Sequence, residues 1–192
     1  MPEAEGRALA YALLSCPSDP DLPAVEIGSY MGLSSLYLGA AARKTNRKLI
    51  SVDHHRGSEE NQQGWEHHDP SIVDPVSNKI DTLYAFRRTI NLAGLDQSIV
   101  TVVSDSQIFS SLFKREIGFL FIDGGHGEIQ AQSDFESWTP KIARGGFLAI
   151  HDVFEDSQLG GRPPYELYLQ ALQLNYREVI SEGSLRVMEK SQ

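Results

Sequence analysis

The sequence predicts an α/β protein built on a doubly wound, mostly parallel seven-stranded sheet whose last strand is antiparallel. Three observations lead there. Short unbroken apolar runs alternate with segments of helical period, as in a parallel sheet covered by helices on both faces. The first run ends in a glycine turn, Gly28-Ser29-Tyr30-Met31-Gly32, that opens directly into a helical pattern. The last two runs are joined only by Glu182-Gly183-Ser184, a hairpin connection that reverses the final strand.

Composition narrows the class. The 192 residues suit one domain, residues 1–192, with a real core. Hydrophobic residues make up 41% and charged residues 22%, the balance of an ordinary soluble protein. A net charge of −9 argues against gripping nucleic acid over a broad surface. Cys16 is the single cysteine, so one chain forms neither a disulfide nor a thiolate metal cluster. That fits the reducing cytoplasm. No secretory signal and no membrane span are expected.

In chain order, Glu3 to Leu14 carries a helical stripe of Ala8, Leu9, Ala12 and Leu13, broken by Cys16-Pro17 and Asp19-Pro20. It covers a sheet edge or helps close the pocket. Strand one is Pro23 to Ile27, and a helix runs from Leu33 to about Ala42. The basic run Arg43 to Lys48 reads as a solvated helix C-terminus. Strand two, Leu49 to Val52, ends in Asp53.

The segment from His54 to Pro75 has no period. It holds His54, His55, His67, His68 and Trp65 among acidic residues. A long aperiodic insert in a compact domain is commonly functional, so residues 54–75 are expected to form an active-site loop or lid. The alternative is a surface loop pinned by Trp65 at a subunit contact of a homo-oligomer.

A helix is expected from Ser77 to Leu92, with Ile80, Leu83, Tyr84, Arg87 and Ile90 at helical spacing, ended by Gly94. Ile99 to Val103 is strand three. Ser104-Asp105-Ser106 then caps a helix from Gln107 to Phe113. Strand four, Ile117 to Ile122, ends at Asp123 before the turn Gly124-Gly125-His126-Gly127. The next helix carries Ile129, Phe135 and Trp138 and stops at Pro140. Lys141 to Gly146 turns into strand five, Phe147 to Ile150, which ends at His151-Asp152. A helix with Leu167, Leu169, Leu172 and Leu174 precedes strands six, Tyr176 to Ile180, and seven, Leu185 to Met188.

Ligands of open α/β sheets bind at the carboxyl ends of the strands. Those ends carry Glu26, Asp53, Ser104-Asp105, Asp123 and His151-Asp152, with His126 beside them. Asp53 lies about where a ribose diol is held after a glycine turn. Buried carboxylates and imidazoles need partners. One solution is a divalent cation between Asp123, Asp152 and His151; oxygens suit Mg²⁺, and the imidazole tilts the choice toward Mn²⁺, Fe²⁺ or Zn²⁺. The alternative is that Asp123 and Asp152 hold cofactor and substrate directly. His126 has the ordinary pKa of a general base near neutrality; otherwise it is a helix-terminal residue bonded to a carboxylate.

The stretch Glu26-Ile27-Gly28-Ser29-Tyr30-Met31-Gly32 resembles the first motif of class I S-adenosylmethionine-dependent methyltransferases, with their Rossmann-like fold. Together with Phe121 to His126 and Gly145 to Asp152, it is similar to the small O-methyltransferases related to cephalosporin, macrolide-sugar and catechol methyltransferases. The resemblance covers nearly the whole chain apart from the insert. It implies that S-adenosylmethionine is held by Glu26, Gly28, Ser29, Tyr30, Gly32 and Ser34 at the turn, by Asp53 and His54 at the ribose, by Ser104, Asp105 and Ser106 at the adenine, and beside Asp123. It implies metal ligation by Asp123 and by the strand-five pair, where His151 departs from the usual acid, and proton removal by His126.

The resulting expectation is methyl transfer to a hydroxyl of a small molecule, assisted by a divalent metal, Mg²⁺ or Mn²⁺. Metal-independent N- or O-methyl transfer, and a non-catalytic cofactor-binding module of the same fold, remain open. A nicotinamide oxidoreductase is disfavoured, because the third glycine of its fingerprint is missing and Glu26 precedes the first.

Overall fold

The computed structural model describes residues 1–58, 64, 69–125, 127–156 and 158–191. Its main sheet has seven strands: β1 (Ala24–Ile27), β2 (Leu49–Asp53), β5 (Ile99–Val103), β6 (Ile117–Ile122), β7 (Ile142–Ile150), β8 (Tyr176–Glu182) and β9 (Leu185–Lys190). Their order is β5-β2-β1-β6-β7-β9-β8. The first five run parallel, and β9 pairs antiparallel with both β7 and β8. The chain therefore reverses direction across the sheet beside β1, so β1 and β6 are central and every residue in them is buried.

Period-two alternation sorts these strands into two cores. Phe119 and Phe121 of β6 face α1 (Glu3–Ser15), α2 (Leu33–Thr45) and α3 (Leu83–Leu92), packing with Leu9, Leu13, Leu38 and Phe86. Leu120 and Ile122 face the opposite layer of α4 (Ser106–Leu112), α5 (Glu128–Trp138) and α6 (Arg162–Gln173). There they meet Phe135, Trp138 and Leu167. Among the described residues, no helix is long and apolar enough to cross a membrane.

Several elements differ from the sequence expectation. The expected helix from Ser77 begins only at Leu83. Before it, β3 (Val73–Asp74) and β4 (Lys79–Ile80) form a small hairpin. The Asp74 carboxylate accepts from Val76 N, Ser77 N and Ser77 Oγ, and Asn78 takes φ +53, so side chain-to-backbone bonds compete successfully with the helix. In α3 it is Phe86, fully buried, that faces the core, while Tyr84 stands exposed, as does Ile129 at the start of α5. Strand β7 starts at Ile142, across an irregularity that shifts its register against β6.

The basic run is also less uniform than expected. Arg43 and Lys44 sit in the last turn of α2, but Arg47 is buried. Its guanidinium donates to the carbonyls of Ser18, Asp19 and Leu22, which pins the chain between α1 and β1.

Candidate active site

The glycine turn after β1 is built tightly. Gly28 takes φ +83, and a Cβ there would stand 2.3 Å from the carbonyl oxygen of Asp123, so the turn rests directly on the end of β6. Gly28 N donates to Val52 O and Gly32 N to Ser29 O. Ser29 N and Tyr30 N both donate to Asp53 Oδ2, at 2.9 and 2.8 Å, while His55 N donates to Oδ1 at 2.6 Å. Asp53 is thereby fixed in place at the cleft wall. Each carboxylate oxygen accepts about two bonds, so Oδ1 retains capacity for a hydroxyl.

Glu26 lies beneath the turn with no exposed surface. Its carboxyl accepts from Ser34 Oγ, Ser35 Oγ and Ser51 Oγ at 2.5, 2.5 and 2.8 Å. Burial outweighs these bonds and, with the Asp123 charge, pushes its pKa up to about 7. Glu26 thus ties the N-terminus of α2 and strand β2 to β1. It does not line the cleft, and neither do Ser29, Gly32 or Ser34. The structure gives these four residues the work of shaping the turn from below: their polar groups are satisfied by Asp53, by one another and by α2.

At the far end, Asp105 Oδ1 caps α4 by accepting from Gln107 N and Ile108 N, and Ser104 Oγ bonds the Asp105 carbonyl. Ser106 Oγ donates to Asp134, a buried carboxylate of α5 that also accepts from Gln130. Burial chiefly holds the Asp134 carboxyl above its ordinary range, against the lowering effect of those bonds. Asp134 was not expected from the sequence. The available signal was an acid on the same stripe as Ala131, Phe135 and Trp138, all of which are buried.

The third cluster joins the ends of β6 and β7. His151 Nδ1 lies 3.1 Å from Asp123 Oδ1 and 3.2 Å from Asp152 Oδ1, yet neither contact has hydrogen-bond geometry. Nε2 lies 2.8 Å from Glu5 Oε2. Glu5 is a second carboxylate the sequence reading passed over, although it shares a helical stripe with Leu9, Ala12 and Leu13. Burial opposes the imidazolium, but Asp123 and Asp152 outweigh it and hold the His151 pKa up at about 11.

A divalent cation fits this donor set. One ligand atom from each of Asp123, His151 and Asp152 lies within 4.8 Å of the others. Metal–ligand distances of about 2.1 Å place adjacent ligands roughly 3 Å apart, close to the two Nδ1–oxygen separations. The buried Nδ1 without a well-formed hydrogen bond is the nitrogen such a cation would use.

These groups surround a cleft of about 910 Å³. Of the residues expected at the site, Gly28, Tyr30, Asp53, His54, Ser104, Asp105, Ser106, Asp123 and Asp152 line it, together with Asp134, Met1 and Thr82. Gly57 and Ser58, the start of the insert, form part of the wall, and Ser58 packs over Gly125. Burial and the Asp69 charge raise the Tyr30 phenol. His55 points inward instead: it is buried, with Nδ1 on Thr82 Oγ1 at 2.8 Å. His126, Trp65, His67 and His68 lie outside the described residues.

Comparison with solved structures gives the same architecture. The O-methyltransferase NovP is 13% identical with a TM-score of 0.69, over 97% of this chain and 78% of that one. The SAH-bound methyltransferase PaMTH1 of Podospora anserina is 10% identical with a TM-score of 0.65, over 98% and 78%. An rRNA methylase of Streptococcus thermophilus is 12% identical with a TM-score of 0.64, over 100% and 99%. The family described as "Methyltransferase domain" matches residues 25–153, from the start of β1 to just past the His151-Asp152 pair. A glycine turn braced by Asp53, the seven-stranded order and this match agree, and the chain belongs to the methyltransferase-domain family, with the fold of class I S-adenosylmethionine-dependent methyltransferases.

Proposed function

We propose that the protein moves a methyl group from S-adenosylmethionine to a hydroxyl of a small molecule, assisted by a divalent metal. The observation that carries this reading is the convergence of Asp123, His151 and Asp152 at the ends of β6 and β7, with both aspartates lining the cleft and His151 buried behind them. Asp53, Gly28 and Tyr30 would hold the ribose and methionine portions of the cofactor, and Ser104 to Ser106 the adenine.

The cofactor supplies a sulfonium methyl that is already strongly electrophilic. A cation there would be held by Asp123, His151 and Asp152, and would supply Lewis acidity that lowers the pKa of an acceptor hydroxyl. The acceptor oxygen attacks the methyl carbon in line with the C–S bond. The C–O bond forms, the C–S bond breaks with its electron pair left on sulfur, and the hydroxyl proton passes to His126. The turn and Asp53 would hold the cofactor, and their contribution would come through orientation.

The small-molecule acceptor is supported by the charge of the cleft. Among its described lining residues, five are aspartates and none is Lys or Arg. Within the insert, residues 54–75, Arg56 is the single Lys or Arg, and its guanidinium lies 3.4 Å from Asp81. A phosphate backbone would be repelled there. The reducing cytoplasm is the proposed compartment.

A second reading, metal-independent transfer, is favoured by one observation: the His151 ring lies 3.1 and 3.2 Å from oxygens of Asp123 and Asp152, so as an imidazolium it offsets part of their charge without a metal. Transfer of labelled methyl from S-adenosylmethionine to catechol and sugar hydroxyls, with and without chelator, separates the two. Turnover that chelator abolishes and Mn²⁺ restores is expected. Full turnover in chelator contradicts metal assistance, and no transfer to any hydroxyl acceptor contradicts the reading as a whole.

A further inference from the structure

The His151 imidazole is held from both ends of the chain. Glu5 comes from α1, and its carboxylate is buried. Oε2 meets His151 Nε2 at 2.8 Å, while Oε1 accepts from Ser184 N at 2.6 Å and from Ser184 Oγ at 3.0 Å. Ser184 belongs to the turn between β8 and β9. In that turn Gly183 has φ +53, and a Cβ on it would stand 2.2 Å from Glu5 Oε1. The approach of Glu5 therefore requires the glycine. Glu5 and Ser184 both lie outside the residues 25–153 matched by the family.

An ionised carboxylate only accepts hydrogen bonds. Glu5 accordingly keeps the proton of its partner on Nε2. The other ring nitrogen, Nδ1, is the one turned toward Asp123 and Asp152. A carboxylate behind a histidine whose opposite nitrogen faces two further carboxylates is the arrangement by which outer residues fix a metal-binding imidazole.

We infer that Glu5 is a positioning residue: it orients His151 so that Nδ1 completes a cation site with Asp123 and Asp152. This rests on the metal-assisted reading above. It also gives the site one nitrogen donor, which shifts preference from Mg²⁺ toward Zn²⁺ or Mn²⁺.

Glu5→Gln tests this directly. Ser184 N–H pins the amide oxygen of the new side chain, so its NH₂ faces His151 Nε2. With a cation on Nδ1 the ring carries its proton on Nε2, and there the NH₂ offers no acceptor, so the metal-bound ring loses the hydrogen bond that Glu5 gives it. The measurement is Zn²⁺ titration of wild type and Glu5→Gln by calorimetry, with ¹⁵N spectra of the histidine rings in both. Expected are metal on Nδ1 and a proton on Nε2 in wild type, and Zn²⁺ affinity lower by about 10- to 100-fold in the variant. Binding of S-adenosylhomocysteine is retained. Equal Zn²⁺ affinity in the two proteins overturns the inference, as does metal on Nε2 in wild type. Where the variant loses its cooperative melt, the wild-type spectrum alone decides. Wild type that takes up no Zn²⁺ contradicts the metal reading and with it the Nδ1 donor.

Discussion

The backbone N–H of Tyr30 donates to Asp53 Oδ2 at 2.8 Å, so the acid at the end of β2 is held by the glycine turn it faces. Turn and acid form one unit. Asp53→Ala removes a charged acceptor for a ribose hydroxyl and releases Ser29 N and Tyr30 N together. Charge-assisted hydrogen bonds contribute about 1.5–3 kcal/mol. Affinity for S-adenosylhomocysteine is expected to fall by about 10- to 100-fold, read by calorimetry, with a lower melting temperature. Unchanged affinity removes Asp53 from the cofactor site.

Gly28 is required by space as much as by backbone angle. Gly28→Ala places a methyl group against the Asp123 carbonyl at a positive φ. A left-handed non-glycine residue costs about 1–2 kcal/mol before the clash is counted. Urea unfolding is expected to show a loss of at least about 2 kcal/mol. A variant as stable as wild type means that the turn does not rest on β6 as described.

Glu26 makes stability depend on pH. Its carboxyl titrates near 4.5 unfolded and near 7 folded, so the fold favours the protonated form. Its stabilising contribution is complete below pH 4.5 and is lost as pH rises through 7. The shift corresponds to about 3 kcal/mol. Glu26→Gln cannot ionise, so its stability relative to wild type should rise by roughly that amount between about pH 4.5 and pH 8. Parallel stability curves for the two proteins contradict a buried, neutral Glu26.

His126 is proposed to take the acceptor proton. General-base catalysis contributes about 10²- to 10⁴-fold. His126→Ala is expected to lower turnover within that range while S-adenosylhomocysteine affinity changes by less than about twofold. Wild-type turnover in the variant assigns the proton to another group.

Much of this was readable in the sequence because the sheet is buried on both faces. Unbroken apolar runs such as Ile117 to Ile122 announced the strands, and their polar ends announced the rim. The buried Glu26 was expected to need donors, and Ser34, Ser35 and Ser51 supply them. Long-range partners were not legible. Glu5 carried no signal in a helix expected to cover a sheet edge or help close the pocket, because nothing local shows that its stripe meets His151, 146 positions away. Asp134 was hidden in the same manner. The hairpin at Val73 to Ile80 was lost because Asp74 and Asn78 set the turn through side chain-to-backbone bonds, while the helical spacing of Ile80, Leu83 and Tyr84 suggested otherwise.

The most direct test of the account is calorimetric titration of S-adenosylhomocysteine into chelator-stripped protein, repeated with Mn²⁺ present. The account predicts one ligand per chain in both conditions, and uptake of about one Mn²⁺ that is lost in Asp123→Asn and in Asp152→Asn. Failure to bind S-adenosylhomocysteine in either condition would contradict it at its centre: the cleft braced by Asp53 would not be a cofactor site.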